Sequence, residues 1–208
     1  MTVTKAILNT AHSIFIFERR VRILAEHLAS KLPQGARAID IGAGDGSIAR
    51  AIMTLRPDVK IYGIEVLVRP RTHIPVHTFD GAHIPFDDNS FDIAMLVDVL
   101  HHVQNPRILL REAARVARGY VVVKDHLHEG LLAGPTLRLM DLIGNFAHDV
   151  VLHYNYLTES EWRCVFAQLG LEIDYWNGEL GLYPFPLSLL FDRRLHVITR
   201  LAVLSKET

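Results

Sequence analysis

The sequence predicts an α/β domain built on a mostly parallel sheet, and three observations carry that expectation. Short apolar runs alternate with helical stretches along the chain, the pattern of strands joined through crossover helices. One run, Phe91 to Val97, is apolar almost throughout, as a strand covered on both faces requires. A glycine-rich turn lies between the first predicted strand and the first predicted crossover helix.

The elements follow in order. His12 to Leu32 reads as one or two amphipathic helices with Val21, Leu24, Ala25 and Leu28 on one face, and Pro33-Gln34-Gly35 ends them. Ala36 to Ile41 is the first strand, Asp45 to Leu55 a helix, Val59 to Glu65 the second strand and Val76 to Phe79 a short third. After strand four comes a helix over Pro106 to Ala117, with proline where a helix start tolerates it. Tyr120 to Lys124 is the fifth strand, and Leu131 to Phe146 reads as helical. Thr158 and Glu161 have the spacing of a capping box, opening a helix that ends at Gly170. Leu171 to Trp176 and Leu195 to Leu204 are two late strands joined by a long proline-containing connection. No linker composition interrupts the 208 residues, which divide into an N-terminal helical segment (1–35), a core (36–125), an insertion (126–157) and a closing unit (158–208) of one domain.

Charge narrows the partners. The 22 Lys and Arg nearly cancel the 23 Asp and Glu, so no broad positive field is expected to attract nucleic acid. A single cysteine, Cys164, excludes an intrachain disulfide and fits a cytoplasmic location. No signal-peptide layout opens the chain. No apolar run reaches the roughly 20 residues that span a bilayer. Gly181 to Phe191 is apolar but short, and suits a pocket rim, a homodimer contact or a membrane-surface lip.

The segment Asp40-Ile41-Gly42-Ala43-Gly44-Asp45-Gly46 is the most informative. Glycines let a backbone turn sharply and approach a ligand, and a helix start offers N–H groups to a carboxylate. Glu65 ends the second strand, 19 positions after Gly46, where a carboxylate can accept hydrogen bonds from ribose hydroxyls. Asp80 follows the third strand, within reach of an adenine amino group. A nicotinamide dinucleotide site would read G-x-G-x-x-G. Counting from Gly42, the third glycine position holds Ser47, which disfavours an NAD(P)-dependent oxidoreductase.

These residues resemble the class I S-adenosyl-L-methionine-dependent methyltransferases, in the small-molecule branch that includes the quinone-biosynthesis enzymes. The likeness rests on the glycine turn, Glu65, Asp80-Gly81-Ala82, the segments 85–92 and 98–103, and the helix around 109–116. It implies a Rossmann-like sheet of seven strands, mostly parallel with a closing antiparallel strand and helices on both faces. It also implies roles: Asp40, Gly42, Ala43, Gly44 and Gly46 at the methionine portion, Glu65 on the ribose, and Val66 against the adenine ring. Asp80, Gly81 and Ala82 would address the adenine edge, and Asp98 the methionine end. The shorter turn Ala117-Arg118-Gly119-Tyr120 departs from the family's usual Pro-Gly-Gly. A module that binds the cofactor without catalysis is a third reading, though no cofactor motif is broken.

Methyl transfer to an acceptor that must lose a proton calls for a base, and histidine titrates in the useful range. His101 and His102 after strand four and His126 and His128 after strand five lie at the expected functional edge; His126 is preferred, with Asp125 as its orienting neighbour. His126 with His128, or His101 with His102, could supply imidazole ligands, but no cysteine pair and no evident carboxylate cluster supports a metal, and none is expected. The small-molecule or lipid-like acceptor is expected at His148, His153, Tyr154, Asn155 and Tyr156, against an apolar wall of Leu139, Met140 and Phe146. The N-terminal helix is expected to fold over the cofactor.

Overall fold

The computed structural model describes residues 3–145 and 153–204, with side chains from residue 15 to 143 in the first stretch. Seven strands form one sheet: β1 (Arg37–Ile41), β2 (Lys60–Glu65), β3 (Val76–Thr78), β4 (Phe91–Val97), β5 (Ala117–His126), β6 (Leu171–Asn177) and β7 (His196–Val203). Their order is β3-β2-β1-β4-β5-β7-β6. The first five pair in parallel, and β7 slots antiparallel between β5 and β6. The helices are α1 (Val3–Ala29), α2 (Ser47–Leu55), α3 (Pro106–Val116), α4 (Ala133–Asn145), α5 (Glu159–Gln168) and the short α6 (Ser188–Phe191).

Both faces of the sheet are buried. Ile39, Ile41, Ala94, Leu96, Val121 and Val123 pack with Leu109 and Leu110 of α3 and with Trp162 and Phe166 of α5. Ala38, Ile93, Met95 and Val122 pack on the other face with Leu24 and Leu28 of α1 and Ile52 of α2. That two-sided burial is why β4 has no polar alternation. Between Phe91 and Ile93 the β4–β5 register shifts, with β5 taking three steps from Ala117 to Tyr120 against two on β4, and Phe91 and Ile93 join opposite layers.

Several expected boundaries move. One helix, not two, precedes the sheet. The first crossover helix begins at Ser47 because Gly46 is held left-handed. β5 runs from Ala117 to His126, longer than Tyr120–Lys124, because β7 pairs along it to His126. The capping box forms as expected: Thr158 Oγ1 accepts from Glu161 N at 3.3 Å and Thr158 N donates to Glu161 Oε2 at 2.8 Å. The late connection is not loose. Its Leu180 and Leu182 are buried beneath α1, and Gly181 O accepts from Arg19 at 3.1 Å. Arg56 fastens the end of α1, donating to the carbonyls of Ala29, Leu32 and Pro33 at 2.9, 3.2 and 3.1 Å.

Candidate functional site

The C-terminal ends of β1 and β4, with Arg69, Pro70 and Arg71 of the loop after β2, open into a crevice of about 650 Å³. Asp40, Gly42, Ala43, Gly44, Asp45 and Asp98 line it from the sheet side, and Phe17, Arg20, Val21 and Leu24 of α1 close the other. The glycine turn has two physical requirements. A Cβ on Gly42 would lie 2.4 Å from Val99 Cγ2, and Gly42 has φ 77°. Gly44 also has positive φ, but a Cβ there would meet no atom within 4 Å, so that turn faces open space. Gly42 N and Ala43 N donate to Ile64 O at 2.8 and 3.0 Å, tying the turn to β2.

Asp40 stands at the floor of this space. It is buried, and its Oδ1 has no hydrogen-bond partner among the described residues. Burial, reinforced by the Glu65 carboxylate, pushes its pKa up to about 7. Such an orphaned acceptor calls for a donor or cation from outside the chain. Glu65 spans two turns: Oε2 accepts from Gly44 N and Oε1 from Val66 N, each at 2.8 Å. Asp80 Oδ1 accepts from Ala82 N at 2.8 Å and His83 N at 2.7 Å, which lowers its pKa. The β2 and β3 turns touch, since a Cβ on Gly81 would lie 3.1 Å from Val66 Cγ2.

Asp98 follows β4 with the left-handed φ of 57° that is rare outside glycine. Its carboxylate meets Lys124 Nζ and, at 3.4 Å, Arg20. Burial opposes ionisation of Asp98, but Lys124, His126 and Arg20 outweigh it and hold its pKa well below the usual range. Burial in turn lowers that of Lys124.

Behind Asp98 lies a buried cluster. His101 Nδ1 is 2.6 Å from Asp125 Oδ1, and the Asp125 Oδ2 accepts from Leu100 N at 2.9 Å. The expected orientation of His126 by Asp125 does not occur. Neighbouring residues on a strand point to opposite faces, so Asp125 meets only the His126 backbone N, at 2.7 Å. The His126 ring instead reaches Asp141 of α4, Nε2 to Oδ1 at 3.2 Å. Burial lowers the pKa of His102 to about 4, with His101 adding to the effect.

The expected acceptor residues separate. Tyr156 joins the cluster, its hydroxyl 2.5 Å from Asp141 Oδ2. Asn155 fixes its own loop by donating to Val103 O at 2.6 Å. His153 and Tyr154 are exposed, and Tyr154 lies under the Arg138 guanidinium. His148 and Phe146 lie outside the described residues. Leu139 is exposed and Met140 packs against Leu137 and Leu195.

Sequence reasoning missed Lys124, Asp141 and His196. Lys124 had a signal, a charge ending the apolar run Tyr120 to Val123. His196 had none, because only the β5–β7 register sets it opposite His126.

The chain is 30% identical over 102 residues to the tRNA (carboxymethyluridine(34)-5-O)-methyltransferase of Schizosaccharomyces pombe, covering 47% of this chain and 43% of that protein. It is 28% identical over 167 residues to the demethylmenaquinone methyltransferase of Tropheryma whipplei, covering 69% of each. It thus spans less than half the length of the first and about two thirds of the second. Its fold matches a chain from the complex between the Haloferax volcanii Trm112 methyltransferase activator and a methyltransferase, with a TM-score of 0.72, 16% identity and coverage of 92% and 93%. A family model described as a methyltransferase domain matches residues 14–175, and the chain belongs to that family.

Proposed function

We propose that this chain transfers the methyl group of S-adenosylmethionine to a small-molecule or lipid-like acceptor. The observation that carries the reading is the orphaned Asp40 oxygen at the floor of a crevice walled by left-handed glycines. Asp40 would receive the cofactor's ammonium group, and Gly42, Ala43, Gly44 and Gly46 would back its methionine portion. Glu65 would hold the ribose with Val66 against the adenine, and Asp80, Gly81 and Ala82 would meet the adenine edge. Asp98 would stand at the methionine end. The cofactor supplies an activated methyl on a sulfonium. The protein's contribution is to exclude water and align the acceptor, which α1 serves by covering the crevice.

His101, His102 and His126 serve the acceptor side, adjoining Asp98. Tyr156 belongs there through Asp141, and His148, His153, Tyr154 and Asn155 sit on the same insertion. The surface supports an apolar acceptor: Leu142 and Ile143 of α4 and Phe185 and Leu189 of the late connection are all exposed. No described helix is long and apolar enough to cross a membrane; with one exposed cysteine, we assign the chain to the cytoplasm.

Calorimetry with S-adenosylhomocysteine and with NAD tests the cofactor assignment. Tight binding of the sulfur compound alone is expected; NAD binding alone would establish the oxidoreductase alternative. Incubating methyl-labelled cofactor with fractionated extract should place label in the organic phase. Binding without any labelled product would mark a non-catalytic module. His126→Ala is expected to lower the rate of forming that product while leaving S-adenosylhomocysteine affinity near wild type; an unchanged rate would remove His126 from the acceptor side.

A further inference from the structure

We propose that His101, His126 and Asp141, with Asp98 alongside, form a binding site for a divalent first-row transition-metal ion. Four separate elements bring these groups together. Asp98 follows β4, His101 sits in the 3-10 turn Leu100–His102, His126 ends β5, and Asp141 lies on α4. His101 is 1% exposed, and His126 and Asp141 are each 4% exposed, so an ion there would be shielded from competing water.

The spacing fits shared ligation. Asp141 Oδ1 lies 3.2 Å from His126 Nε2 and 3.6 Å from His101 Nε2. Two ligands on a tetrahedral ion with bonds of about 2.0–2.1 Å stand about 3.3 Å apart. Donor atoms of Asp98, His101 and His126 all lie within 4.8 Å of one another, and those of His101, His102 and Asp141 do the same.

The supporting contacts also have the form that ligation needs. A histidine ligand ordinarily gives its second ring nitrogen to a carboxylate, which fixes the ring and raises its basicity. His101 does this with Asp125 at 2.6 Å, leaving Nε2 toward Asp141. Asp125 is anchored by Leu100 N, and Asp141 is braced by the Tyr156 hydroxyl on its other oxygen. Imidazole and carboxylate donors without a thiolate suit zinc, manganese or ferrous iron better than cuprous copper, magnesium or calcium. Asp98 also lines the cofactor crevice, so the ion would stand beside that crevice. The competing arrangement is a network in which protons alone bridge the same atoms.

The test uses the full chain, stripped with a chelator, dialysed and titrated with Co²⁺. Visible ligand-field bands that saturate at one ion per chain and vanish on adding Zn²⁺ are expected. His101→Ala and His126→Ala should each weaken Zn²⁺ binding by at least tenfold, and Asp125→Asn by 10–100-fold. His128→Ala, at an exposed histidine two residues from His126, should bind as wild type. Thermal melting of each variant separates lost ligation from lost folding, and Asp141→Asn replaces either histidine variant that does not fold. Absence of stoichiometric Co²⁺ and Zn²⁺ binding by the wild type at micromolar free ion overturns the proposal and leaves the proton-bridged network. Binding that persists unchanged in the ligand variants overturns it equally. Neither readout requires cofactor or acceptor, so failure here is distinct from failure of the methyl-transfer reading.

Discussion

Asp40 is held in an environment that resists its charge, and this makes a pH dependence visible at a single residue. Its pKa rises from an ordinary carboxylate value to about 7 through burial and the nearby Glu65. The folded chain therefore binds this proton more tightly than the unfolded chain. Its contribution to stability is full below the unfolded pKa and is lost as pH rises toward 7. A cationic ligand group prefers the ionised form, so ligand binding should release the proton. Calorimetric titration with S-adenosylhomocysteine from pH 5.5 to 8.5 should show affinity rising up to about pH 7 and levelling above it. A flat profile would remove Asp40 from contact with the ammonium. Asp40→Asn should remove this pH slope. Glu65 acts differently, because it already holds Gly44 and Val66 in place. Glu65→Ala should weaken S-adenosylhomocysteine by about 1–3 kcal/mol; unchanged affinity in the same titration would exclude it from the ribose site.

The turn between β1 and α2 is the element on which the crevice depends. Gly42 adopts a left-handed φ and leaves no room for a Cβ beside Val99. Gly42→Ala should lower stability by about 2–4 kcal/mol, combining left-handed strain of about 1–2 kcal/mol with overpacking of similar size. Adding Val99→Ala should recover the packing part and not the conformational part, as judged by urea unfolding. Full recovery would show that φ carries no cost there. At this scale much was legible. The glycine spacing, the proline-led α3 and the Thr158–Glu161 cap depend on local chemistry, and each sits where the sequence puts it. Boundaries drifted where a neighbour decides them: β5 lengthens because β7 is hydrogen-bonded to its whole second half.

Across the molecule, the sheet order converts sequence distance into contact. Placing β1 between β2 and β4 gathers Asp40, Glu65 and Asp98 at one edge; the alternation of strands and crossover helices led one to expect Glu65 beside the glycine turn, whereas Asp98 was expected from the family resemblance alone. Inserting β7 beside β5 brings His196 Nδ1 to 3.4 Å from Lys124 Nζ. Folding α4 back over the edge sets Asp141 against His126. Those contacts come from side chains far apart in sequence, with no periodicity or spacing to announce them. The pairing expected between Asp125 and His126 went astray for a related reason: adjacency along a strand separates side chains, and Asp125 found His101 instead.

By itself, then, the sequence determined the alternating α/β plan, the glycine turn after the first strand and the positions of the acids at the strand ends. Each follows from local backbone preference or from the period of apolar residues, which act within a few residues of themselves. Only the tertiary structure decided which face of α1 roofs the crevice, which carboxylate partners each histidine, and that Lys124 and Asp98 share a charge pair. Those outcomes depend on register and helix docking, where energies are shared among distant segments and no short stretch of chain holds the answer.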